Sequence, residues 1–286
     1  MVLQHGWKIA FLGLAVVACA VAACGEHAPS GSSPSVPDGG APPPADVRRE
    51  EAEDEPPFVL TFPRVISRGG ATVARPAVLP IFVKGDPHAA SIVAFAESVG
   101  KSDYWRESLA EYGVGQLSVR AAVFFDTLAP EVSDAELRAL LAKGFESGTL
   151  PPPDAATLYA IYPPAGASIV RDGVRTCAGL AGYHDELDAS GVKVGYAVVA
   201  RCEAPERHLE ELTVLSSHEY AEWATNPFPT TAPAFASLDD EHWIWGRRSG
   251  PEISDLCYGL GVGPRALDGT ASVSYTHLRA HETVLD

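Results

Sequence analysis

The residues best placed to do chemistry in this chain of 286 residues lie in one stretch, ERHLEELTVLSSHEYAEWATNP at 206–227. Leucines recur in it at three-residue spacing, and Asn-Pro closes it, which predicts a helix. His218 and Glu222 are four residues apart, so on a helix they share one face and can bind the same cation. Glu219 lies beside that pair. Its carboxylate can accept a proton from water activated by the metal, as in the HExxH pattern with the last His exchanged for Glu.

A metal site on this helix needs a further protein ligand, and the segment EISD at 252–255 offers two carboxylates. Glu252 is the predicted third ligand. Asp255, one turn further on if the segment is helical, can bind the metal or hydrogen-bond to His218. The predicted cation is zinc, although a carboxylate-rich ligand set also accepts manganese or calcium.

Each of these residues also has a simpler interpretation. An acidic helix contains H-E-x-x-E by chance, and Glu252 and Asp255 suit the N-terminus of a helix that opens at Pro251. His184, in a predicted turn at 182–185, either faces the same site or makes structural hydrogen bonds. The acidic segment 239–242 is a solvated loop or a calcium or substrate loop.

The N-terminus predicts export. Residues 9–23 form an apolar run that is too short to span a membrane, and VAAC at 21–24 resembles a bacterial lipobox. We therefore expect cleavage before Cys24 and lipidation of its thiol, which would anchor the protein in the bacterial cell envelope, with Gly25 leaving outer-membrane sorting open. The alternative is ordinary cleavage and secretion with a free Cys24 thiol. Residues 25–57 are rich in Gly, Ser, Pro, Ala and acidic residues, which predicts a disordered linker.

Composition from residue 58 onward is that of a globular domain. A formal net charge of −16 argues against a nucleic-acid partner, because no basic stripe is present to neutralise phosphates. Apolar patterning predicts strands over 58–66, 77–83, 116–125, 157–162 and 193–200, and helices over 87–99, 103–112 and from Ser133 to about Phe145. Together with the helix at 206–227, this order predicts a single mixed α/β or α+β domain over 58–271.

Several segments between about 77 and 260 carry a family resemblance. They are the strand, helix and Tyr104-Trp105 pair within 82–112, GTLP at 148–151 with LYAI at 158–161, Cys177 with GYH at 182–184, SHEYAE at 217–222, TNP at 225–227 and EISDLC at 252–257. Together they resemble the EXORDIUM-like, or phosphate-induced, protein family. The resemblance implies a secreted, zincin-like domain, associated in plants with the cell wall, but it carries no catalytic activity over to this chain.

The cysteines and the C-terminus complete the sequence predictions. Cys177 and Cys202 flank a hairpin-like segment and are predicted to form a disulfide, which leaves Cys257 unpaired. Residues 272–286 resemble the translation of a sequencing adapter often seen at the end of metagenomic reading frames. We therefore expect a truncated domain followed by a foreign tail, whose His277 and His281 do not form a site.

These observations predict an exported metal-dependent hydrolase, a zincin-like peptidase with a peptide or cell-wall substrate. The alternative is a non-catalytic cell-surface module that keeps the metal, or only its carboxylate network, as structure.

Overall fold

The computed structural model describes residues 63–244, 246, 250–258, 265–267 and 272–273. The chain divides into two units, Met1–Phe58 and Val59–Asp286, and every described residue belongs to the second. The predicted signal peptide, Cys24 and the linker lie outside the described residues, as does most of the strand predicted over 58–66.

Strands and helices are interspersed along the described chain. The strands are β1 (Val65–Ser67), β2 (Ala77–Val83), β3 (Ser118–Val119), β4 (Val123–Phe125), β5 (Glu131–Ser133), β6 (Thr157–Tyr162), β7 (Ser168–Arg171), β8 (Val174–Arg175), β9 (Gly182–Ala189), β10 (Val192–Val199), β11 (Phe235–Leu238), β12 (Arg265–Ala266) and β13 (Ser272–Val273). The helices are α1 (Ala89–Lys101), α2 (Asp103–Leu109), α3 (Asp134–Ser147), α4 (His208–Thr225) and α5 (Asp255–Tyr258). Short 3-10 turns cover Ala110–Tyr112 and Pro205–Arg207.

A mixed sheet of six strands forms the centre of the fold. Its order is β3-β2-β6-β10-β9, and β4 also pairs with β2. The strands β2, β6 and β10 are parallel neighbours, whereas β9 runs antiparallel to β10 at the edge. The three parallel strands are nearly continuous apolar runs because both faces of the sheet are covered.

Two apolar clusters lie on opposite faces of this sheet. Side chains of α1, α2 and α4 pack on one face, against residues such as Val78 and Ala160. Side chains of α3 pack on the other face, against Leu79 and Ile161. Alternate residues of each strand therefore serve different clusters, as the two-residue period of a strand requires.

Helix α4 lies directly on β10 because one glycine leaves room for it. A Cβ at Gly195 would come within 2.1 Å of the Trp223 Nε1 atom, so only glycine allows this approach. Trp223 is fully buried, together with Leu212 and Tyr220 on the same helix. This packing fixes the position of the helix that carries the predicted chemistry.

The structure confirms the predicted mixed α+β class. Strands β2 and β6 coincide with the predicted segments, and α3 begins at the predicted capping box between Ser133 and Glu136. The strand predicted over 116–125 is wrong in one respect, because β3 and β4 are two short strands separated around Arg120, whose guanidinium pairs with Asp154. The segment 182–185, predicted to be a turn, opens the eight-residue strand β9.

The predicted disulfide is present. Cys177 and Cys202 are joined with a Cα–Cα distance of 4.9 Å and a sequence separation of 25. The bridge links the chain before β9 to the chain after β10, so it closes the open end of this hairpin. A disulfide fits an extracellular domain, because such bonds persist in oxidising compartments. Within the described part of the chain, no helix combines the length and the apolar character needed to cross a bilayer.

The folded region extends at least two residues beyond the boundary predicted after Ala271. Ser272 and Val273 pair antiparallel with Ala266 and Arg265, and Val273 is 1% exposed in the cluster that contains α4. The remainder of the predicted tail, with His277 and His281, lies outside the described residues.

Candidate metal centre

Three parts of the chain bring the candidate site together. Helix α4 supplies His218, Glu219 and Glu222, and the edge strand β9 supplies His184. The turn before α5 supplies Glu252, and the first residue of α5 is Asp255. These side chains line a cavity of about 250 Å³, beside Arg171 and the segment 229–230. The helical spacing predicted for the first three residues is confirmed, because α4 spans them without interruption.

One group of potential ligands surrounds His218. Its Nε2 atom lies 3.0 Å from Oε1 of Glu222 and 3.6 Å from Oδ1 of Asp255. Glu222 and Asp255 come from different elements, and the contact between the turn and the helix is reinforced by Ser254, whose hydroxyl donates to the His218 carbonyl at 3.2 Å. These three residues can together hold a metal ion.

A second group of potential ligands surrounds His184. Its Nδ1 atom lies 3.6 Å from Oε2 of Glu219 and 3.8 Å from Oε2 of Glu222. All three residues are buried, and they too can together hold a metal ion. Gly182 permits the approach of Glu219 to β9, because a Cβ there would lie 2.7 Å from the Glu219 Oε1 atom.

Asn226, at the end of α4, connects this second group to the turn. Its side-chain amide donates to Oε1 of Glu252 at 2.6 Å, and its side-chain oxygen accepts from the Ala234 backbone at 2.8 Å. Its backbone carbonyl lies 3.2 Å from Nε2 of His184, while Glu252 Oε1 lies 3.6 Å from the same atom. Glu252 therefore sits beside His184, away from the position predicted for a third ligand to the His218 cation.

Two buried carboxylate oxygens in the site have no hydrogen-bond partner in the part of the chain that the structure describes. They are Oε2 of Glu219, 3.6 Å from the His184 Nδ1 atom, and Oε1 of Glu222, 3.0 Å from the His218 Nε2 atom. Both side chains are almost fully buried, at 4% and 5% exposed. Buried oxygens of this kind are costly unless a proton or a cation compensates them.

The histidines carry part of that compensation when no cation is bound. Burial by itself lowers the pKa of His184, yet the surrounding carboxylates, led by Glu252, raise it to about 10. Burial likewise opposes the charge on His218, and Glu222 leads the groups that raise its pKa to about 10. In the metal-free protein the surrounding carboxylates therefore favour the protonated form of both imidazoles, and a cation bound by either ring displaces the proton of that ring.

The carboxyl groups of the site are shifted as well. Burial, reinforced by the charge of Asp255, raises the pKa of Glu222 to about 8, against the attraction of His218. Burial also raises the pKa of Asp255 to about 6, again against the attraction of His218. Shifts of this size in a cavity mark a candidate functional site, because folding keeps groups there that would be more stable in water.

The distances within each group fit a bound cation. Two ligand atoms about 2.0–2.2 Å from one zinc ion can be at most about 4.4 Å apart. The four histidine-to-carboxylate distances of 3.0, 3.6, 3.6 and 3.8 Å fall inside that limit. All atoms of a group lie within 4.8 Å of one another, which the longer oxygen distances of calcium, about 2.3–2.6 Å, accommodate directly. The donor set thus fits a divalent cation without fixing which one.

The predicted residues divide between the two groups. His218, Glu222 and Asp255 lie together as the sequence predicts, whereas Glu252, the predicted third ligand, lies beside His184. Glu219 lies next to His218 and Glu222, but its carboxylate faces His184. The sequence allows either a site role or a structural role for His184, and the structure places it in the site. The second acidic candidate, the segment 239–242, instead forms an internal contact, in which His242 Nδ1 lies 2.5 Å from Oδ1 of Asp239.

The role of Asn226 was missed, because the sequence marks it only as the end of a helix before a proline. The sole signal was the TNP motif itself, since Asn at that position has amide and carbonyl groups that a helix end does not require.

No family model, no curated protein and no solved structure matches this chain. The resemblance to the EXORDIUM-like family therefore stays a prediction. The residues of the site themselves form a buried His and Glu group able to hold a metal ion.

Proposed function

We propose that this protein is an exported, metal-dependent hydrolase of the peptidase type, anchored to the bacterial cell envelope through Cys24. The observation that carries the proposal is the pair of buried carboxylate oxygens of Glu219 and Glu222, which have no hydrogen-bond partner among the described residues and line a cavity beside two histidines. The disulfide between Cys177 and Cys202 supports export.

In this proposal His218, Glu222 and Asp255 hold the cation. A bound zinc ion lowers the pKa of water toward neutrality and polarises a carbonyl group. Glu219 is the general base, because its Oε2 atom lies in the same cavity without a hydrogen-bond partner among the described residues and can accept a proton from the attacking water. His184, 3.6 Å from that oxygen, holds the carboxylate in place. Glu219 can then return the proton to the leaving amine.

The edge of the sheet suits an extended substrate. Strand β9 carries His184 into the cavity, and among the described strands it has a neighbour on one side only. A peptide in extended conformation can bind such an edge through main-chain hydrogen bonds. A peptide, either free or within the cell wall, is therefore the proposed substrate class.

A non-catalytic surface module is the second candidate. The ion pairs of His218 with Glu222 and of His184 with Glu252 supply positive charge to the carboxylates without any cation. Such a network can serve structure alone, and in that case the site would bind no metal and hydrolyse nothing.

Two substitutions on α4 test the proposal. Glu222→Ala removes a ligand and should abolish metal binding, whereas Glu219→Gln should keep at least one cation per chain and lower hydrolysis by about 100-fold or more. The matched control is Glu210→Gln, an exposed position on the same helix outside the cavity. The measurements are metal per chain after desalting and cleavage of an unspecific protein substrate.

The outcomes separate the two candidates. Wild-type protein that binds one cation per chain but at that loading cleaves no faster than Glu219→Gln is a metal-bound surface module. Wild-type protein that binds no more metal than Glu222→Ala lacks the metal centre altogether.

A further inference from the structure

The two oxygens of the Glu222 carboxylate face two different histidines. Oε1 lies 3.0 Å from Nε2 of His218, and Oε2 lies 3.8 Å from Nδ1 of His184. We propose that the cavity has a second cation position, formed by His184, Glu219 and Glu222, in which Glu222 bridges the two cations. This inference rests on the proposed function, in which the His218 group holds the first cation.

The hydrogen bonds of His184 prepare it to be a ligand. Its Nε2 atom lies 3.2 Å from the carbonyl oxygen of Asn226, which can only accept, so the proton of the neutral ring belongs on Nε2. The lone pair of the neutral ring is then on Nδ1, which faces Glu219 and Glu222. A histidine ligand whose other nitrogen donates to a backbone carbonyl is the usual arrangement at a metal centre.

The second group is also buried, and one of its carboxylate oxygens is available to bind a cation. The side chains of His184 and Glu219 are 3% and 4% exposed, and Oε2 of Glu219 is without a hydrogen-bond partner in the described part of the chain. That oxygen lies 3.6 Å from the His184 Nδ1 atom, within the span of two ligands on one zinc ion. The Glu219 Oε2 atom and the His184 Nδ1 atom are therefore spaced as two ligands of one cation would be.

Carboxylates are numerous enough in the cavity for two cations. Four of them line it, from Glu219, Glu222, Glu252 and Asp255. When all four are ionised, one divalent cation balances only two of their charges, and the remaining charges need protons or a second cation.

Occupation of the second position changes the role of Glu219. The same Oε2 atom cannot bind a cation and accept a proton from water. Hydrolysis should therefore rise as the first cation binds and fall as the second binds, so the second position is regulatory.

The test is a zinc titration of the metal-free full-length protein, followed by calorimetry and by metal analysis after desalting. Zinc bound elsewhere on the chain is subtracted with Glu222→Ala, which lacks a ligand in both positions. We expect two zinc ions above that baseline for the wild type, and one for His184→Gln and for Glu219→Gln. The matched control is His88→Gln, which lies outside the cavity and should keep two.

The outcomes distinguish the second position from the proposed function. A wild type with no zinc above the Glu222→Ala baseline overturns both. A wild type with one, and the same value for His184→Gln and Glu219→Gln, overturns the second position and leaves the first. Circular dichroism of each variant identifies any variant that fails to fold. Because His184→Gln and Glu219→Gln each remove a ligand of the second cation position, either one can give the result if the other does not fold.

Discussion

At the scale of single residues, Asn226 links parts of the site that lie far apart in the chain. It is fully buried, and its side chain bonds to Glu252 on one side and to the backbone of Ala234 on the other. Its carbonyl group accepts from His184 and so sets the tautomer of that ring. Asn226 contacts no substrate in the proposed reaction and is a positioning residue.

Replacement of Asn226 by Asp is a prediction at this scale. The change keeps the shape but puts an oxygen in place of the donor that lies 2.6 Å from the Glu252 carboxylate. We expect the free energy of unfolding of the metal-free protein to fall by about 1 to 3 kcal/mol, because a buried acceptor then faces another acceptor. Urea unfolding measures this loss.

The control for this substitution is Gln116→Glu, the same exchange of amide for acid at an exposed position, for which we expect a change within about 0.5 kcal/mol. Equal stability of Asn226→Asp and wild type would mean that the amide bond to Glu252 contributes nothing.

At the scale of elements, the hairpin of β9 and β10 and the helix α4 determine the site geometry. Strand β10 supports α4 through the contact of Gly195 with Trp223, and β9 presents His184 to the same helix. The disulfide between Cys177 and Cys202 closes the end of this hairpin nearest to His184 and joins it to the segment that leads into α4.

Loss of this disulfide should therefore weaken the whole domain. For a closed loop of 25 residues, the chain-entropy relation gives about 3 kcal/mol, since the bridge restricts the unfolded chain. The double substitution of Cys177 and Cys202 by Ser should lower the melting temperature by about 6–12 °C. Differential scanning calorimetry measures the shift. Reduced wild-type protein serves as the comparison and should have the same melting temperature as the double variant. An unchanged melting temperature in both would rule out a stabilising bridge.

At the scale of the whole molecule, the core reaches further along the chain than the sequence indicates. Val273 is buried in the same cluster as Leu212 and Tyr220 of α4, and β13 pairs with β12. The cluster that supports the candidate site thus includes a residue close to the C-terminus of the chain.

Two truncations separate the folded part from the predicted foreign tail. A chain that ends after Val273 should keep the melting temperature of the full chain, as the adapter resemblance of the tail predicts. A chain that ends after Ala271 should lose about 1.5–3 kcal/mol, because burial of the Val273 side chain is lost. Thermal unfolding of the pair measures both. A large fall for the longer truncation would show that residues after Val273 contribute to the fold.

The sequence by itself determined the local features of this protein. The run at 206–227 contains helix α4 because its apolar residues follow helical periodicity and Asn-Pro ends it, and this alone places His218, Glu219 and Glu222 on adjacent turns. The capping box at Ser133 and the apolar strands β2 and β6 were equally predictable, because each depends on residues within a few positions. The pairing of Cys177 with Cys202 was predictable because these two cysteines flank a hairpin-like segment.

Only the tertiary structure decided which groups meet across the cavity. Whether Glu252 or Asp255 approaches His218 depends on a turn held by Asn226 and by Ser254, and neither contact can be read from spacing. His184 enters the site because β9 is the antiparallel edge strand beside α4, an arrangement set by the packing of Trp223 on Gly195. Contacts of this kind join residues tens of positions apart, so they depend on the packing of the sheet and its helices, which no local pattern specifies.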